Sequence, residues 1–244
     1  MTTESQSTAG SLVQEASLVQ EAETVLATLA TLVEPLSRTL PADCEVVLHD
    51  LRRLPNSIVA IAGGVTGRRV GGPATDLLLR KATAGTIATT VGYETRLPDG
   101  RSLRSTTVVI RDSGGTAVAA LCINSDVMIW QAVRTIAESM LPVSMLKKHQ
   151  PDEPPEPPVE PPQEKFFRDI DDLARHLLAE AIAASEAPVD LMHKKHKIAV
   201  VNDLKDRGFF MLKESVGMAA QALHVTRFTV YNYLNELEND ELGK

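Results

Sequence analysis

The segment Pro151–Glu164, PDEPPEPPVEPPQE, is almost entirely proline and carboxylate, and it constrains the fold more than any other feature. Proline fixes φ and lacks a backbone donor, so this run neither continues a helix nor enters the interior of a sheet. It reads as a semi-rigid acidic spacer in extended polyproline conformation, ahead of the alternative of an SH3-type ligand. Its carboxylates repel DNA phosphates, so it is not expected to lie along a duplex. The chain is therefore read as two parts joined by a spacer.

Upstream, residues 1–10 are rich in Ser and Thr and are expected to be disordered. SLVQEA then occurs twice in tandem, at Ser11–Ala16 and Ser17–Ala22, a small duplication that lengthens a helix rather than a solenoid. Val25, Leu29, Leu32 and Leu36 extend that helix as an apolar stripe ending near Pro41. The stripe suits packing on its own domain and pairing with a second subunit equally well.

From Cys44 the period changes. Short strands are predicted over residues 44–48 and 57–62, and a Gly-rich loop carrying Arg68 and Arg69 leads into a helix over 75–84. Three more strands follow over 89–96, 102–111 and 116–124. They are separated by Pro98-Asp99-Gly100 and Asp112–Gly115, which are hairpin signals. A helical period resumes from Asp126 through Val127, Trp130, Val133, Ile136 and Met140. The simplest assembly is an α+β domain: a five-stranded antiparallel sheet with helices on one face, the topology of a PAS-type sensor module.

Aromatics make up only 4% of the chain, so its cores are aliphatic, and a net charge of -7 argues against coating nucleic acid or anionic membrane by bulk electrostatics. One basic face on one domain still suffices for phosphate contacts. The two cysteines, Cys44 and Cys122, sit in apolar runs and read as buried thiols of a cytoplasmic protein. The opening MTTESQSTAGS lacks the basic flank and apolar core of a signal peptide, and no apolar run approaches the roughly 20 residues of a membrane span.

The strongest functional signal lies in residues 189–237. Asp190 is expected to cap a helix running to about Asp206 and closed by Gly208, with Ile198, Val201 and Leu204 inward. A second helix over 213–223 buries Val216, Ala219, Ala220 and Leu223. After the step His224-Val225, Thr226 caps a third helix over 227–237 that buries Val230, Leu234 and Leu237. This is helix-turn-helix spacing: Ala220 lets two helices cross closely and Val225 plugs the turn. The outer side chains Arg227, Phe228, Thr229, Asn232 and Asn235, flanked by Tyr231 and Tyr233, include types that read base edges and hold phosphate. Lys194 and Lys195, in the run His193–Lys197, are candidate backbone contacts. The pattern A-x-x-L-x-V-T-x-x-T-V-x-x-x-L from Ala220 to Leu234 favours this reading over a plain three-helix bundle. His193 and His196 lack a third metal ligand.

The chain resembles the YheO-like regulators, the family that includes D-arginine utilisation repressors of the DauR type. The resemblance rests on EVVLHDL (Glu45–Leu51), Ser57–Arg80, Arg101–Asp126 and VGMAAQALHVTRFTVYNYLNEL (Val216–Leu237), preceded by Asp206–Phe210. It implies an N-terminal PAS-like sensor, a C-terminal helix-turn-helix, oligomeric assembly and an amino acid or related metabolite as effector. His224 departs from the glycine usual at such turns. The proline-rich spacer and the duplicated SLVQEA also depart from the family's shorter pattern, so the layout is read from the residues: 1–22 disordered start and duplicated helical segment, 23–150 sensor, 151–164 spacer, 165–187 connector or dimer-forming helix and 188–244 DNA-binding domain. Candidate effector contacts are His49, Asp50, Arg68, Thr75, Asp76 and Asn124, with Asp126 nearby. A carboxylate with an arginine suits an amino acid, although His49-Asp50 also suit a strand end and Asp76 an i, i+4 pair with Arg80. No haem, flavin or nucleotide signature is present, so no cofactor is expected. No nucleophile is paired with a base, so no enzyme is expected. The partners expected are operator DNA, a small effector and further copies of the chain, with a protein-binding bundle as the alternative and no membrane role.

Overall fold

The computed structural model describes residues 3–141, 164–185 and 187–242. Helix α1 spans Thr3–Thr39, so the opening expected to be irregular is helical from Thr3. The inward face of α1 carries Ala22, Leu26 and Val33, one position round from the stripe read in the sequence, and Leu32 points to solvent. Adjacent apolar stripes on one helix leave the choice to whatever packs against it. The stretch Ala16–Thr39 is long and apolar enough, at mean hydropathy 1.2, to cross a membrane by length and composition alone, although polar residues interrupt its apolar run. Here Glu21 accepts hydrogen bonds from the Ser113 backbone N–H and Oγ, at 3.0 and 2.6 Å, at the tip of a hairpin.

The strands are β1 (Cys44–Asp50), β2 (Ile58–Ala62), β3 (Thr90–Arg96), β4 (Ser102–Arg111) and β5 (Ala117–Asp126). They form one five-stranded sheet in the order β2-β1-β5-β4-β3, with β3–β4 and β4–β5 antiparallel. Every residue of β1 is buried, as expected of an interior strand. At Gly63 (φ +97) an added Cβ would collide with the Cys44 carbonyl, so only glycine leaves β2 in this way. Both cysteines are buried free thiols. Helix α2 is Asp76–Thr83 and α3 is Met128–Ser139. The C-terminal helices are α4 (Ile170–Ala183), α5 (Lys194–Asp206), α6 (Ser215–Ala222) and α7 (Arg227–Leu242).

Close contacts divide the chain into two compact units. One comprises Met1–Leu48, Ala60–Gly67 and Ala88–Phe166; the other comprises His49–Val59, Arg68–Ile87 and Phe167–Lys244. The second therefore gathers α2 and the β1–β2 connection with the C-terminal helices. Its core is Leu173, Leu177, Val201, Leu204, Phe209, Leu223 and Val230.

Candidate functional site

Helix α5 begins at Lys194 with His193 as N-cap, not at Asp190, which lies in a short 3-10 turn. His193 and His196 cap each other's backbone reciprocally, which gives both a structural role. Among the described residues no cluster of His, Cys, Asp and Glu could hold a metal. Gly208, at φ +75, ends the helix beyond Arg207.

After α6 the chain turns through Leu223, His224 and Val225. His224 takes φ 52, the left-handed conformation that its place in the turn suggested, and its Nδ1 lies 3.0 Å from Asp190 Oδ1. Thr226 caps α7: its Oγ1 accepts from the Thr229 N–H at 3.1 Å. Val230 and Tyr233 are buried one turn apart and fix which side of α7 faces the core. The ring of Tyr233, grouped by sequence with the outward residues, is thus part of the packing. Phe228, Tyr231, Asn232 and Asn235 are exposed, and their i, i+3, i+4, i+7 spacing makes them one continuous stripe.

Charge refines this stripe. The Arg227 guanidinium is 3.1 Å from Glu214, a residue at φ 60 that no motif singles out. Both side chains are well exposed, so the pair is weak and readily exchanged for phosphate. Lys194 lies 2.7 Å from Glu236, whose hydrogen bond holds the ammonium above its ordinary range, while Lys195 is exposed. Glu236 and Glu238 would repel phosphate, leaving the first two turns of α7 as the part compatible with a groove.

The sensor candidates fall into separate groups. His49 is fully buried, with Nδ1 2.8 Å from Ser57 Oγ; burial, then the positive charge of Arg68, lowers its pKa to about 3, so it is neutral near pH 7. Arg68 is itself buried. Asp50 accepts from the Arg52 N–H and guanidinium at 3.0 Å and so closes the strand end. Thr75 caps α2 by accepting from the Leu78 N–H at 3.1 Å. Asp76 accepts from the Leu77 N–H at 2.8 Å and lies 3.4 Å from His176 Nε2. Asn124 belongs to a different constellation, on the inner face of the sheet.

That face carries a polar row which sequence reasoning missed. Glu45 accepts from the Thr66 N–H (3.0 Å) and Oγ1 (2.7 Å), and from Asn124 Nδ2 at 3.4 Å. Ser105, in register opposite Asn124, donates to its Oδ1 at 3.0 Å, and Thr95 Oγ1 lies 2.8 Å from Ser105 Oγ. Beside it, Tyr93 Oη is 2.9 Å from Thr107 Oγ1 and donates to Glu164 Oε2 at 2.9 Å. Burial, then the Glu164 charge, holds this phenol protonated well above its usual range. Alternation of polar residues on β1 and β4 was the available signal, since Glu45-x-Val47-x-His49 and Ser105-x-Thr107 each point one way.

Residues 20–142 match the family model for the YheO-like PAS domain, and residues 173–235 match a model for an HTH domain. The uncharacterized protein YheO of Escherichia coli (strain K12) is 28% identical over 223 residues, covering 89% of this chain and 86% of that relative. An uncharacterized protein of Haemophilus influenzae is 25% identical over 223 residues, covering 91% and 95%. The transcriptional regulator DauR of Pseudomonas aeruginosa is 29% identical over 196 residues, covering 80% and 85%. No solved structure matches. The two matched domains and the DauR relative support a transcriptional regulator with a PAS-like domain.

Proposed function

The chain belongs to the YheO-like PAS domain family, and on that premise we propose that it is a cytoplasmic, DNA-binding transcriptional regulator, not an enzyme, whose PAS-like half senses a small effector. The observation that carries this is the exposed stripe Phe228, Tyr231, Asn232 and Asn235 on a helix that Thr226 caps and Val230 orients. Asn reads adenine through a bidentate pair, Arg227 reads guanine or phosphate once it leaves Glu214, and Thr226 and Thr229 lie at the N-terminal end that enters a groove most deeply. Lys195 adds a phosphate contact. One helix of this size binds a short half-site, so the working form is a homodimer or higher homo-oligomer on a two-fold operator. The effector is an amino acid or related metabolite, the class implied by the family resemblance, and the genes controlled are those for its use.

Selection from a random duplex pool tests the reading. The wild-type chain should enrich a defined motif, and Arg227→Ala and Asn232→Ala should lose it while melting at the wild-type temperature. Enrichment of the same motif by both variants would refute the assignment of α7 as the reading helix.

A further inference from the structure

The acidic spacer has an unexpected end. Glu164, read from the sequence as its last residue, is only 6% exposed, and so is Phe166. Phe166 joins Val65, Leu97 and Leu103 in a buried apolar cluster of the sensor unit. Glu164 accepts the Tyr93 hydroxyl on the inner face of the sheet. Taken together, the two side chains form a carboxylate and an aromatic body set side by side against the sensor.

We propose that Glu164–Phe166 is a tethered occupant of the effector site, and that this site takes a small molecule joining a carboxylate to an apolar body, which displaces the segment. This rests on the sensor reading above and specifies its ligand class. The Tyr93 hydroxyl, itself bonded to Thr107, is the donor that a ligand carboxylate takes over, and Val65, Leu97 and Leu103 receive the apolar body. With Phe166 seated, only Phe167, Arg168 and Asp169 separate it from α4. A tethered competitor at high effective concentration also weakens the apparent affinity for the free effector, which sets its threshold.

The Lys165–Phe166 bond is a trypsin site held between the two buried side chains, so its cleavage in the full chain reports release. Exposed Lys195 serves as the internal reference. Wild-type protein should be cut slowly after Lys165. The carboxylate 3-phenylpropanoate should accelerate that cut, and the neutral 3-phenylpropanamide should not. Tyr93→Phe removes the hydroxyl that donates to the carboxylate and should accelerate cleavage at Lys165 about tenfold or more relative to Lys195. Adding Glu164→Leu to Tyr93→Phe should restore protection, a rescue that general unfolding would not give. Wild-type cleavage unmoved by 3-phenylpropanoate, or Tyr93→Phe cut after Lys165 at the wild-type relative rate, would overturn the proposal. Neither readout involves DNA, so a failed latch leaves the Arg227→Ala and Asn232→Ala result standing, and the reverse also holds.

Discussion

Helix α7 and the inner face of the sensor sheet both place polar side chains at regular spacing, but they satisfy them in opposite ways. On α7 the core side is Val230 and Tyr233, and Asn232 and Asn235 are left in water with hydrogen-bonding capacity available to an incoming partner. On the sheet the polar groups turn inward and satisfy one another, from Glu45 through Asn124 and Ser105 to Thr95. The first arrangement is ready to bind but contributes little to stability. The second contributes to stability and yields to a ligand only if the ligand replaces the bonds it breaks.

The difference is best broken at its apolar support. Leu223→Ala removes a fully buried side chain beneath the α6–α7 turn and should cost about 2–5 kcal/mol in denaturant unfolding. Hydrogen exchange should place that loss in the C-terminal unit, with the sheet amides still protected; equal deprotection of the sheet would show that the two regions unfold together. Asn124→Ala attacks the other side. It interrupts the row and should cost about 1–3 kcal/mol while leaving DNA affinity unchanged, whereas an unaffected midpoint would mean that the row is stabilised by other groups.

Acid acts on the sensor side through His49. The pKa of His49 is depressed in the folded state, so the stability it confers is complete above its ordinary value of 6.5 and is lost as pH falls from there toward about 3. The slope from this one group is roughly 1.4 kcal/mol per pH unit within that window. His49→Gln should flatten the decline between pH 6.5 and 5, as measured by denaturant midpoints, and an unchanged slope would place the titration elsewhere. This is expected to be the smallest of the three effects near neutral pH, where little of the window has been entered.

The two regions were also unequally legible in the sequence. The C-terminal helices were readable because a capping Thr226, a turn at His224-Val225 and a period of 3.6 leave few alternatives. Tyr233 was misplaced, since a tyrosine next to an outward Asn232 carries no mark of which way it points, and Ile198, Val216, Leu234 and Leu237, read as core, are only half-buried. The start of α5 was misread for a related reason: Asp190 is a good cap by type, but His193 and His196 satisfy the helix end together. In the sensor, the order of strands and turns was legible, while its polar constellation was not. Ser, Thr and Asn on a strand look alike whether they meet water or one another, and only the sheet order β1-β5-β4-β3 brings Glu45, Asn124, Ser105 and Thr95 into line. Glu164 lay within a run whose composition says solvent, and its partner Tyr93 is 71 residues away in sequence.

DNA binding by α7 remains the claim on which the functional account depends, and its most direct measurement is the affinity of the selected duplex over a salt series. Log K should fall linearly and steeply with log salt, and Arg227→Ala should weaken binding and lower the slope by about one phosphate contact. An affinity that is insensitive to salt, or a slope and affinity identical in the wild-type chain and Arg227→Ala, would contradict it.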